Sequence, residues 1–266
     1  MGRGSSGRTG SRATRSQRPQ QPRTPQQPVR QRRTPQEWLD YFDTADDSQA
    51  TAALNEWRQE RMDADNRSAD TDIQRFFHNI GWTENTPVAL DENEYQQAYQ
   101  AAGRPKQIYH SDEDTTAATG SDYAAQYFGD GRDANGNAYR HYIAYGIYGG
   151  GTYYAGSAGD SAGYGGNQFR GFLNSKAKVA DWSTIRRQYA SYVRSHPAFA
   201  RMMNNVKTGY GNDSEKVSIF AAMKGYNVIH DRSSDYYVVL DRSVTTVSRR
   251  QKNRSTERNW WGMSNW

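Results

Sequence analysis

The chain has 266 residues, of which 35% are apolar, and its mean hydropathy is −1.07; both values are low for a packed globule of this length, so part of the chain is expected to be disordered. It has no cysteine, which excludes disulfides, thiolate zinc sites and a cysteine nucleophile. The formal charge is +5, no apolar run approaches the length of a membrane-spanning helix, and the N-terminus lacks the apolar core of a secretory signal.

Residues 1–34 hold nine arginines, four of the eight prolines and no acid, and are expected to form a disordered tail. Their charge of +9 leaves about −4 for the rest of the chain. The tail suits a polyelectrolyte arm for nucleic acid or another acidic partner, and equally a solubilising linker. The mildly acidic body argues against nucleic-acid binding as its main activity.

Residues 35–104 read as helical. Thr34-Pro35-Gln36-Glu37 offers an N-cap, a proline at the first helical position and an acid in the first turn, followed by the apolar stripe Trp38, Leu39, Phe42. Further helices are predicted over Gln49–Met62, Asp70–Ile80 and Asp91–Ala102, the last closed by Gly103-Arg104-Pro105. Together they make a helical cap or subdomain. Their aromatics (Trp38, Phe42, Trp57, Phe76, Phe77, Trp82) are assigned to a core.

From residue 105 the texture changes. Gln107–His110 reads as a short strand, Ser121–Phe128 as a helix, Gly129–Gly136 as a turn-rich connection and Tyr139–Tyr148 as a strand. Asp160–Leu173 is predicted as a helix against a sheet. Asp181–Met203 is amphipathic and broken at Pro197. Val217–Met223 is a helix or strand, and Val228-Ile229, Tyr236–Leu240 and Val244–Val247 are strand-like. The expected class is α+β with an antiparallel sheet.

The glycine-rich stretch from Gly149 lacks the Lys-Ser or Lys-Thr of a phosphate loop and the strand–glycine–helix order of a dinucleotide fingerprint. What remains is a glycine turn, two tyrosines in an extended segment, and a Ser-Ala-Gly-Tyr turn. Tyrosine faces with a small hydroxyl suit a flat aromatic amide, the rings stacking on it and the hydroxyl bonding its carboxamide. The five histidines show no metal-ligand spacing, so no metal is expected.

Gly151-Thr152-Tyr153-Tyr154-Ala155, five residues, then Ser161-Ala162-Gly163-Tyr164 resembles the central motif of the poly(ADP-ribose) polymerase-like ADP-ribosyltransferases, G-x-Y-F-A, five residues, S-A-x-Y. Ile108-Tyr109-His110-Ser111 is similar to the family's first motif, a strand ending in His-Gly. Asp235-Tyr236-Tyr237-Val238-Val239-Leu240-Asp241 is similar to its last, E-Y-x-V-Y-D. The resemblance covers about residues 105–250 and implies a split antiparallel sheet with NAD as substrate.

Residue by residue, the resemblance implies that His110 bonds a ribose 2′-hydroxyl and that the backbone of Ser111 holds the nicotinamide amide. Gly151, Tyr153 and Tyr154 line the pocket, Tyr153 being the middle member of a His-Tyr-Glu triad. Ser161 bonds the carboxamide and Tyr164 stacks on the ring. In the triad's third place stands Tyr236, or, one residue shifted, Asp235, which alternation would turn to the opposite face of the strand. Without the glutamate the resemblance implies mono-ADP-ribosyl transfer to an unidentified macromolecular acceptor rather than polymer formation, with NAD hydrolysis and binding without turnover as the alternatives. The other reading is a catalytically weak or inactive transferase-fold protein acting in a phage structure or on nucleic acid, since the family also occurs in phage-encoded proteins; host cytoplasm or virion is the implied location. Residues 251–266 form a Trp-rich tail expected to dock on a partner or on the body.

Overall fold

The computed structural model describes residues 32–59, 71–82, 85–112, 144–164, 167–209, 213–249 and 252–253. The expectations for the tail before residue 32, for Ser121–Phe128, for Gly129–Gly136, for the first five residues of the predicted strand Tyr139–Tyr148 and for the Trp-rich terminus after residue 253 lie outside these residues.

The protein mixes helix and sheet. Helices α1 (Pro35–Thr44), α2 (Asp47–Gln59), α3 (Asp72–Asn79) and α4 (Glu92–Ala101) come first, with β1 (Val88–Leu90) before α4. Thr34, Thr71 and Asp91 each accept from the third backbone N–H of α1, α3 and α4, and the acid or amide at that position reaches back to the cap. There follow β2 (Gln107–Asp112), β3 (Ala144–Gly146), β4 (Gly149–Ala155), the single turn α5 (Ala158–Ser161) with a 3₁₀ turn over Ala162–Tyr164, and β5 (Asn167–Leu173). Then come β6 (Val179–Asp181), α6 (Trp182–Ser195), α7 (Pro197–Asn204), α8 (Ser214–Met223), β7 (Val228–Asp231), β8 (Tyr236–Val239), β9 (Thr245–Ser248) and β10 (Lys252–Asn253).

Among the described residues the strands form one curled sheet in the order β1-β9-β5-β2-β4-β8-β7-β6, with β10 beside β5 and β3 beside β4. It is mixed, not purely antiparallel. The two end pairs, β1–β9 and β6–β7, are parallel and the others antiparallel. The β6–β7 pair follows from its connection, since α6, α7 and α8 supply the long crossover that parallel strands need.

Two cores result. Ile108, Phe169 and Val247 from one half of the sheet pack with Tyr154, Val228, Tyr237 and Val239 from the other, so the curl closes the sheet on itself. On the outer face of the second half, Ile229 and Val238 join Trp38, Trp57, Phe76, Phe199 and Phe220 of the helices in a larger core. The N-terminal helices therefore share one hydrophobic core with the sheet and the later helices.

Two expectations change. Asp160–Leu173, predicted as one helix, is a short turn followed by strand β5. Its polar residues obscured the alternation because Gln168 and Arg170 are buried against partners far along the chain: Gln168 against Ala158, Arg170 against Glu92 and the ring of Tyr95. The glycines of 149–151 also have a different use. A Cβ on Gly149 would lie 2.0 Å from Ser218 Oγ, and one on Gly151 would lie 2.7 Å from Val238 and 2.8 Å from the Val239 carbonyl. Bare backbone here lets α8 and β8 close on β4.

Candidate functional site

Strands β2 and β4 touch through one ladder pair, Tyr109 with Ala155. By contrast β2 pairs with β5 over six residues and β4 with β8 over four. The sheet is thus parted between β2 and β4, and the candidate residues collect around that parting.

His110 stands at its edge. Its Nδ1 is 2.7 Å from the carbonyl oxygen of Tyr153, and because a carbonyl only accepts, Nδ1 carries the proton. The imidazole leans on the Tyr154 ring, 5.6 Å away, on the face of β2 that carries Ile108. The next residue turns to the other face, where Ser111 Oγ lies 2.7 Å from Ser161 Oγ.

Ser161 is brought there by the turn after β4. Ser157 caps α5, accepting from the Asp160 N–H at 3.1 Å and donating to the Asp160 carboxylate at 2.6 Å. Gln168 of β5 donates to the Ala158 carbonyl at 2.8 Å and pins α5 to the sheet. Ser111, Ser161 and Gln168 are all buried, and among the described residues Gln168 Oε1 has no hydrogen-bond partner. The Ser111 and Ser161 hydroxyls satisfy each other in this buried polar contact.

Three residues on, Tyr164 is 58% exposed. Its hydroxyl shares a 3.2 Å hydrogen bond with that of Tyr236, and the rings meet edge to face at 6.0 Å. Tyr236 also stacks on Tyr148 at 6.2 Å, and Tyr148 meets Trp182 edge-on. The hydrogen bond with Tyr164, partial burial and the nearby negative charges push the Tyr236 phenol up to about 12. Tyr236 is a neutral hydrogen-bonding group at neutral pH and is no base.

The remaining sequence-predicted residues are placed elsewhere. The Tyr153 hydroxyl donates to the Gly149 carbonyl at 2.7 Å and accepts from the Tyr148 N–H at 3.3 Å, so it is tied to the β3–β4 turn; burial raises its pKa. Tyr154 is buried between the two halves of the sheet. Gly151 is a packing position. Asp235 turns to the face opposite Tyr236, where its carboxylate meets Lys106 and His230. The structure therefore brings together the hydroxyls of Ser111 and Ser161, with the His110 ring on the opposite face of β2, and separately Tyr164 with Tyr236. Gly151, Tyr153, Tyr154 and Asp235 make the separate contacts given above.

Burial pushes the Asp235 carboxyl up, but Lys106 and His230 outweigh it and hold the group below the ordinary 3.8. A depressed carboxyl stabilises the fold above its unfolded pKa, and this contribution is lost as pH falls through the folded value. The melting-temperature difference between wild type and Asp235→Asn is accordingly expected to vanish on acidification below 3.8; a difference unchanged in acid would contradict this.

Tyr148, Gln168 and Lys106 had no sequence signal. Tyr148 is held by Ser234, whose hydroxyl donates to it at 2.8 Å from 86 residues away. Among the described residues no cluster of His, Asp and Glu could hold a metal ion, and no helix is long and apolar enough to cross a membrane. Comparison with models of known families, with curated proteins and with solved structures gives no match.

Proposed function

We propose that the parting between β2 and β4 is the nicotinamide end of an NAD site and that the protein is a mono-ADP-ribosyltransferase. The observation that carries this reading is the contact of Ser111 with Ser161, fifty residues apart, beside His110. These are the residues to which the motif resemblance gives the carboxamide and the ribose. The carboxamide would displace the Ser111–Ser161 hydrogen bond, taking a bond from the Ser161 hydroxyl and from the Ser111 main chain. Gln168 Oε1 is the nearby unsatisfied acceptor for an amide N–H. The faces of Tyr164 and Tyr236 suit a cationic pyridinium.

The chemistry asks for positioning more than for a strong base. The glycosidic C1′–N bond of NAD breaks, and nicotinamide leaves with the electron pair as a neutral molecule. The acceptor forms the new bond to C1′ and loses its proton. A neutral phenol at Tyr236 supplies no negative charge to stabilise an oxocarbenium-like centre or to polarise a ribose hydroxyl acceptor, which favours a single transfer over chain growth.

Calorimetry of the full chain tests the reading. Saturable NAD binding with a Kd between roughly micromolar and millimolar is expected. Ser161→Ala is expected to weaken both NAD and free nicotinamide about tenfold, the loss of one buried hydrogen bond to the amide. Absence of binding at millimolar NAD would refute it. A second reading, NAD binding without turnover, is favoured by the missing carboxylate at Tyr236; it predicts the same calorimetry with no release of nicotinamide.

A further inference from the structure

Asp235 closes the β7–β8 turn with φ at +56°, a conformation that aspartate and asparagine tolerate better than most residues. Its carbonyl accepts from the Gly156 N–H at 2.8 Å. Its carboxylate meets the Lys106 ammonium and, at 3.1 Å, His230 Nε2. The His230 ring lies flat on Tyr237 at 4.0 Å. A Cβ at Gly156 would come within 1.8 Å of the carboxylate, so glycine there makes room for it.

These contacts reach β2, the β4–α5 turn and β8, three of the elements that carry the candidate site. Lys106 leads into β2 with His110 and Ser111; Gly156 joins β4 to the turn bearing Ser161 and Tyr164; Asp235 leads into Tyr236. With β2 and β4 sharing one ladder pair, few main-chain bonds hold that arrangement. We infer that Asp235 is a positioning residue, clamping β2, the β4–α5 turn and β8 from the face opposite the cleft and so fixing the width of the NAD site. This rests on the NAD reading above. The charged and titratable groups facing the carboxylate are Lys106 and His230, with Tyr237 beneath His230.

Asp235→Asn in the full chain is the decisive variant. Asparagine keeps the positive φ but lacks the carboxylate that meets both the Lys106 ammonium and His230. NAD affinity is expected to fall about tenfold through misplaced site groups. The melting temperature should move by no more than about 3 °C, because the ion pair is partly exposed. The sign is informative: if Asp235 acted only through its charge, removing it would tighten binding of the anionic dinucleotide. Hydrogen exchange is expected to quicken in 107–112, 156–164 and 236–239. Lys106→Met should quicken the same segments and serves if Asp235→Asn does not fold. NAD affinity equal to or tighter than wild type, or unchanged exchange, overturns the clamp. Failure of wild type to bind NAD overturns the site reading instead, and exchange then still decides whether Asp235 clamps these strands.

Discussion

Tyr164→Ala is expected to weaken NAD binding about thirtyfold, some 2 kcal/mol, with the melting temperature essentially unchanged. The separation of the two effects follows from exposure. With 58% of its surface in water, the Tyr164 ring buries little on folding, and its only protein contacts described are the edge of Tyr236 and a hydroxyl-to-hydroxyl bond. Exposed substitutions of this kind shift stability by less than about 1 kcal/mol. A pyridinium stacked on the ring, by contrast, loses both its apolar contact and the attraction of a cation to an aromatic face. Tyr164→Phe keeps the face and loses only the hydroxyl, so its affinity should stay within about threefold of wild type. If Tyr164→Ala binds NAD as wild type does, the aromatic slot is not the nicotinamide site.

Gly149→Ala is expected to destabilise the fold by about 3 kcal/mol, lowering the melting temperature by roughly ten degrees. Two independent faults coincide there. The residue sits at φ +117°, which L side chains rarely adopt, and the new Cβ would fall 2.0 Å from Ser218 Oγ and 3.1 Å from the Ser214 carbonyl. Ser218 is fully buried and accepts from the Gly150 N–H at 3.0 Å, while the Gly149 carbonyl accepts from Tyr153. Pushing α8 away therefore breaks the hydrogen bond by which Ser218 holds the β3–β4 turn. Gly149→Ala combined with Ser218→Ala should recover part of the loss by removing the clash while leaving the strained φ. Gly163→Ala, which meets open space at an ordinary φ, is the control and should melt with wild type. A Gly149→Ala protein melting within a degree of wild type would show that the turn yields freely.

Much of the fold is legible where the signal is local. The Thr34-Pro35 cap, the stop near Ile80, the close of the fourth helix before Gly103-Arg104-Pro105 and the break at Pro197 all specify helix boundaries through groups a few residues apart, and the structure has helix boundaries there. Strand β5 is not legible in the same way. Its alternation is masked by Gln168 and Arg170, whose burial depends on groups 10 and 78 residues away. Strands β1 and β6, three residues each, have no recognisable pattern of their own and exist through pairing with β9 and β7.

The same division runs through the candidate site. Sequence by itself determined the order of the groups and the absence of any thiol, since these depend only on chain chemistry; the left-handed turn conformation of Asp235 just before β8 was a matter for the tertiary structure. Tertiary structure decided that the Ser161 hydroxyl meets Ser111, that the Tyr153 hydroxyl is tied to Gly149, and that the Asp235 carboxylate faces Lys106, 129 residues earlier in the chain. The use of a side chain depends on which distant groups satisfy its charge and hydrogen bonds, and those become neighbours only when the sheet curls.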